Sequence, residues 1–93
     1  MSKTIKTIST PDLNQNFTLE LLGQAVRARR TQSNLRLEDA AALCGVAKQT
    51  LMNIELGLGN SQMKTILQVC SGFGIMLRIL PWVGESEAND DWQ

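Results

Sequence analysis

A chain of 93 residues, 43% of them hydrophobic, suffices for one small core and one domain and excludes wholesale disorder. Nine Lys and Arg balance nine Asp and Glu, but unevenly: residues 1–80 hold all nine bases against five acids, whereas residues 81–93 hold Glu85, Glu87, Asp90 and Asp91 and no base. With no His, and with Cys44 and Cys70 lying 26 positions apart, a Cys/His metal site and a Cys–His nucleophile pair are both excluded.

A basic body with an acidic tail suits a polyanion-binding domain with an appended segment. The N-terminus carries Lys3 and Lys6 but no apolar signal-peptide core. The stretch Gly74 to Gly84 is broken by Arg78 and Pro81 and is too short for a bilayer span. A cytoplasmic, reducing setting with two free thiols is therefore expected.

Residues 1–17 read as a loose arm, with a short turn at Thr10-Pro11-Asp12. Thr18 is placed to cap a helix from Leu19 to about Ser33, with Leu22 and Val26 in its apolar stripe and Asn34 as a left-handed stop. A second helix starts near Leu37, with Leu37, Ala40, Ala41 and Cys44 on one face and Glu38 and Asp39 in its first turn. Gly45 ends it. A third helix runs from about Lys48 to Glu55, with Leu51 and Ile54 inward. Asn60 or Ser61 is the expected cap of a fourth, whose inward stripe is Met63, Ile66, Leu67 and Cys70, and Gly72 and Gly74 close it. Ile75 to Leu80 then reads as a short strand that Pro81 stops. The division that results is an arm over 1–17, a helical domain with its terminal strand over 18–82, and an acidic tail over 83–93.

The informative stretch is Leu37 to Leu56. A helix-turn-helix needs a small residue where its helices cross, a Gly in the turn, and apolar side chains locking the second helix on the first. Ala41, Gly45, and the trio Val46, Leu51 and Ile54 meet those needs in order. The outward face of the third helix then offers Lys48 for guanine, Gln49 and Asn53 for adenine, and Met52 for a thymine methyl. Thr50 and Asn60 suit phosphates, and Ala47, at the helix start, completes the set.

The wording LGQAVRARRTQSNLRLEDAAALCGVAKQTLMNIELG resembles the lambda repressor–Cro (XRE) type of DNA-binding domain. Its matching points include Leu22, Val26, Arg30, Leu35, Ala41, Gly45, Val46, Leu51, Ile54, Glu55 and Gly57. The later GIMLRILPW narrows the resemblance toward HipB-type antitoxins. That resemblance implies an all-α, lambda-repressor-like domain whose C-terminal β-strand pairs across a homodimer. It also implies a repressor of two-half-site operator DNA and a partner that is a HipA-like serine/threonine kinase toxin. Arg30 and Glu55 look like the family's internal ion pair. The chain departs from the pattern at Leu37, where the family usually has a phosphate-contacting Gln; at Arg36, which is no Ser or Thr cap but is able to replace that contact; and at Ala47, where a capping Ser or Thr is common.

Cys44 and Cys70 fall at apolar helix positions and read as small core residues. Ile75, Leu77 and Ile79 alternate with Met76 and Arg78, and a lone strand edge invites a second copy. Trp82 and Trp92 flank the acidic tail and suit partner contact. Neither cofactor nor catalytic constellation is expected, so the chain reads as a non-enzyme. Two alternatives stand beside the antitoxin reading: a stand-alone phage-type regulator, and an adaptor that uses the fold without binding DNA.

Overall fold

The computed structural model describes residues 5–82; Lys3, the acidic tail and Trp92 lie outside the described residues. Four helices follow in order: α1 (Leu19–Gln32), α2 (Leu37–Cys44), α3 (Lys48–Glu55) and α4 (Met63–Phe73). Thr18 caps α1 as expected, its hydroxyl accepting from the Leu21 N–H at 3.0 Å. Asn34 adopts the left-handed conformation (φ 58°) that turns the chain into α2, and Gly45 does the same (φ 73°) between α2 and α3.

Leu22 and Val26 of α1, Ala40, Ala41 and Cys44 of α2, and Leu51 and Ile54 of α3 form the core with Ile66, Val69, Cys70 and Phe73 of α4. Two close approaches set the helix arrangement. A Cβ on Gly23 would collide with the backbone carbonyl oxygens of Ile54, at 2.7 Å, and Glu55, so α1 rides directly on the end of α3. A Cβ on Gly72 would sit 2.6 Å from the Cys44 sulfur, which brings α4 against the end of α2. Gly72 is therefore a packing residue inside α4, and Gly74 (φ 70°) alone ends that helix.

The stripe on α4 differs from the expected one. Ile66 and Cys70 are buried, but Val69 and Phe73 join them, while Met63 and Leu67 are exposed. Both choices give the same i, i+3, i+4, i+7 spacing, and only the packing partners decide between them. The expected cap also differs: α4 begins after Gln62, with no side-chain cap bond, and Asn60 stays exposed in the preceding loop.

Residues 5–17 are tied down rather than loose. The Ile8 N–H donates to the Thr31 hydroxyl at 2.9 Å, and Gln32 Nε2 donates to the Ile8 carbonyl and the Thr10 hydroxyl, each at 2.9 Å. The segment thus runs back along α1, antiparallel to it, before turning at Asp12, whose carboxylate accepts from the Asn14 N–H. At the other end, the expected strand over Ile75–Leu80 is absent among the described residues. A strand needs a ladder partner, and the arm is already bonded to α1, so one chain has none to give. The Ile75 N–H goes to the Cys70 carbonyl at 2.8 Å, and Ile75 packs on the core. Leu77 is 38% exposed, Leu80 68% and Ile79 91%, so the segment leaves the domain surface at its far end.

Candidate nucleic-acid interface

The presentation of α3 begins with the turn before it. The Val46 N–H bonds the Ala41 carbonyl at 3.0 Å, which closes α2 over Gly45. Gln68 of α4 reinforces that closure by donating through Nε2 to the Cys44 carbonyl at 2.8 Å and the Gly45 carbonyl at 3.2 Å. Two orphan acceptors at the end of α2 are thereby satisfied. Nothing in the local sequence pattern marks Gln68 for this, because the contact spans more than twenty positions.

Leu51 and Ile54 anchor α3 in the core, and that fixes which side faces outward. Lys48 and Gln49 are exposed, and Thr50, Met52 and Asn53 are half-buried. Lys48, Gln49, Met52 and Asn53 fall within one outward stripe of the helix. Gln49 Nε2 donates to Asn53 Oδ1 at 3.0 Å, across one helical turn. The two amides are thus ordered against each other, and among the described residues the Gln49 carbonyl and the Asn53 amino group make no hydrogen bond.

Arg30 locks this face to the rest of the domain. Its Nε meets Glu55 Oε2 at 2.6 Å and its Nη2 meets Oε1 at 3.0 Å, while Nη1 donates to the Leu35 carbonyl at 2.9 Å. One guanidinium therefore joins α1, the α1–α2 turn and the last residue of α3. Both side chains are mostly buried, at 12% and 7% exposed, so Arg30 is a structural partner as expected. Arg29 is also engaged: its Nε and Nη2 donate to the Phe73 carbonyl at 3.1 and 3.0 Å, capping the C-terminus of α4.

The remaining cations are arranged unusually. Between α2 and the end of α4 there are three: Arg36 at the N-cap of α2, Lys48 at the first position of α3, and Lys64 in the first turn of α4. Cations ordinarily favour the other end of a helix, because the N-terminus carries a partial positive charge. None of these three N-termini has a side-chain cap bond, whereas α1 has one. Unfilled N–H donors, a positive dipole end and a cation coincide three times; the starts of α3 and α4 have no acid in their first turn and suit phosphate, whereas Glu38 and Asp39 oppose an anion at the start of α2. Ala47, in extended conformation ahead of α3, is the small residue that leaves one of those ends open.

A helix-turn-helix family model matches residues 26–80, more than half of the chain. The chain belongs to the helix-turn-helix family, of the XRE type. That family is one of DNA-binding regulators. In helix-turn-helix proteins generally the second motif helix is the one that enters the major groove, and α3 stands second in the motif here, after α2. No curated protein shows significant similarity to the chain.

Among the described residues no group of three His, Cys, Asp or Glu side chains converges to hold a metal ion, and no helix is long and apolar enough to cross a membrane. Cys44 and Cys70 are both buried in the core, and burial pushes both thiols above their ordinary range, Cys70 additionally through its neighbour Cys44. Of the residues expected to meet partners, Trp82 is 55% exposed at the edge of the described chain.

Proposed function

We propose that the protein is a non-enzymatic, sequence-specific transcriptional repressor that binds operator DNA as a homodimer. The observation that carries this reading is the placement of Arg36, Lys48 and Lys64 at the uncapped starts of α2, α3 and α4. Phosphates would fill the ends of α3 and α4, with the Arg36 side chain reaching the backbone beside them, and so fix the domain on the duplex, while Lys48, Gln49, Met52 and Asn53 read base edges and Ala47, Thr50 and Asn60 touch the backbone.

The homodimer reading rests on the C-terminal segment. Leu77 and Ile79 lie beside exposed Phe17, Met63 and Leu67, an apolar surface continuous with a backbone that has unpaired ladder groups. A second copy, pairing antiparallel through Ile75, Leu77 and Ile79, would supply the missing strand and cover that surface. We further infer an antitoxin role in a HipBA-like system, with a HipA-like kinase as partner. The exposed Trp82, leading into an acidic tail that DNA would repel, supports a protein contact there.

The test is selection of binding sites from a pool of random duplexes. A repressor dimer recovers two related half-sites with centres about one helical turn, 10–10.5 base pairs, apart or a multiple of it. Recovery of single half-sites would remove the dimer, and recovery of no site would remove sequence-specific binding. Co-purification with a kinase separates the antitoxin from a solitary regulator.

A further inference from the structure

The turn between the two motif helices does not close on its own backbone. The Gly45 and Val46 N–H groups bond back to the Ala42 and Ala41 carbonyls, at 3.2 and 3.0 Å, but among the described residues no main-chain N–H donates to the carbonyls of Cys44 or Gly45. Both are met by one side chain from outside the motif, Gln68 of α4, through Nε2 at 2.8 and 3.2 Å. A Cβ on Gly45 would come within 3.1 Å of that same nitrogen, so the amide lies directly over the turn. Gln68 is itself exposed and forms no part of the core, so it contributes these two bonds and little packing.

The first turn of α3 depends on that closure more than the rest of the helix does. Its far end is held by the buried Ile54 and by Glu55 on Arg30, and its middle by the buried Leu51. Between Cys44 and Leu51 the core takes only Val46, and that partly, while Ala47 offers the helix start no side-chain cap bond. Lys48 and Gln49 stand in this first turn, both exposed. Hydrogen bonds to base edges need their donors and acceptors placed to within about 0.5 Å. A Lys contact to phosphate, made as a point charge on a long stem, is far more tolerant.

We propose that Gln68 is a positioning residue of this interface: by holding the Cys44 and Gly45 carbonyls it sets where the first turn of α3 stands, and so fixes base choice by Lys48 and Gln49 without itself touching DNA. This rests on the DNA-binding reading above and adds to it a determinant of specificity that lies outside the helix-turn-helix. The fold does not depend on it. The bond to Gly45 is exposed and that to Cys44 only partly buried, so water replaces the amide when it is removed, and the turn loosens while the core stays intact.

Fluorescence-anisotropy titrations on a duplex selected by the wild-type protein and on a random-sequence duplex test this. Gln68→Met keeps the length of the side chain and removes its donor. Its affinity for the selected duplex is expected to fall about tenfold, the order of one lost base contact, with binding to the random duplex unchanged. Gln68→Lys has donors on a stem of similar reach; its charge tightens both duplexes, but the ratio between them returns to that of the wild type. In a Lys48→Ala/Gln49→Ala background Gln68→Met costs little more, because the contacts it positions are already gone. A merely structural residue would weaken both duplexes and add its full cost in that background. Equal losses on the two duplexes, or an unchanged affinity for the selected one, overturn the proposal, and the DNA reading stands if Lys48→Ala and Gln49→Ala still lose on the selected duplex. If the wild-type protein prefers no sequence, the DNA reading fails and the role of Gln68 falls with it. Thermal melts of Gln68→Met are expected within about 4–8 °C of the wild type, and titrations well below that transition exclude a folding defect.

Discussion

Replacing Glu55 by Gln keeps the shape of the side chain and removes the charge that Arg30 was buried to meet. The guanidinium then keeps the Leu35 carbonyl at 2.9 Å and one amide oxygen, but it loses the opposing charge, and one of the two carboxylate contacts of 2.6 and 3.0 Å is replaced by an NH2 group that cannot accept. With the pair at 12% and 7% exposure, this belongs with buried pairs, where loss of one partner costs roughly 3–5 kcal/mol, and not with surface pairs worth about 0–1 kcal/mol. Native stability is typically only about 5–15 kcal/mol, and each kcal/mol shifts the melting temperature of a domain this size by about 4–8 °C. A fall of at least about 12 °C is therefore expected, read by circular dichroism at fixed protein concentration so that self-association does not intervene. The double variant Arg30→Met/Glu55→Leu removes both charges, leaving only the lost hydrogen bond to Leu35 at about 0.5–1.5 kcal/mol. It should be more stable than Glu55→Gln. A single variant that loses less than about 1 kcal/mol, or a double variant below the single, would refute the assignment of Arg30–Glu55 as a buried pair joining α1 to α3.

Three further outcomes are expected. Gly23→Ala improves helix propensity by about 1 kcal/mol but drives a methyl into two backbone carbonyls of α3, and overpacking of about 1–3 kcal/mol should win; urea midpoints read the sign. Leu77→Glu places a charge in the proposed dimer seam, and sedimentation should show monomers, with weaker operator binding because two half-sites are no longer held together; a chain that still sediments as a dimer would show that the seam lies elsewhere. The buried thiols prefer protonation in the folded state, so their contribution to stability is full below the ordinary thiol range and is lost as pH rises through the raised folded values. Urea midpoints should decline across that alkaline range in the wild type and decline less in Cys44→Ala/Cys70→Ala. Native thiols should also alkylate far more slowly than unfolded ones.

The parts of this molecule that repeat on a helical period were legible in its sequence. Ala41, Gly45, Leu51 and Ile54 place both motif helices and the turn between them, and the family resemblance supplies Arg30–Glu55. What the sequence hides are contacts between distant positions that end on backbone carbonyls. Gln68 on Cys44 and Gly45, Arg29 on Phe73, and Gln32 on Ile8 have no signature, because any polar side chain of sufficient length has the same local pattern. Gly23 did leave a signal: a glycine within a strong helix costs about 1 kcal/mol against alanine and so asks for a close approach. On α4 the spacing permits two stripes, and only the crossing at Gly72 against Cys44 selects Val69 over Leu67.

The central claim is that the outward stripe of α3 reads bases, and paired titrations test it most directly. Wild type, Lys48→Ala and Gln49→Ala are each titrated against a selected operator duplex and a random duplex in the same buffer. Each variant is expected to lose about 1–3 kcal/mol on the operator and much less on random DNA, with relaxed preference at one base position. Equal losses on both duplexes would make Lys48 and Gln49 phosphate contacts and contradict the claim.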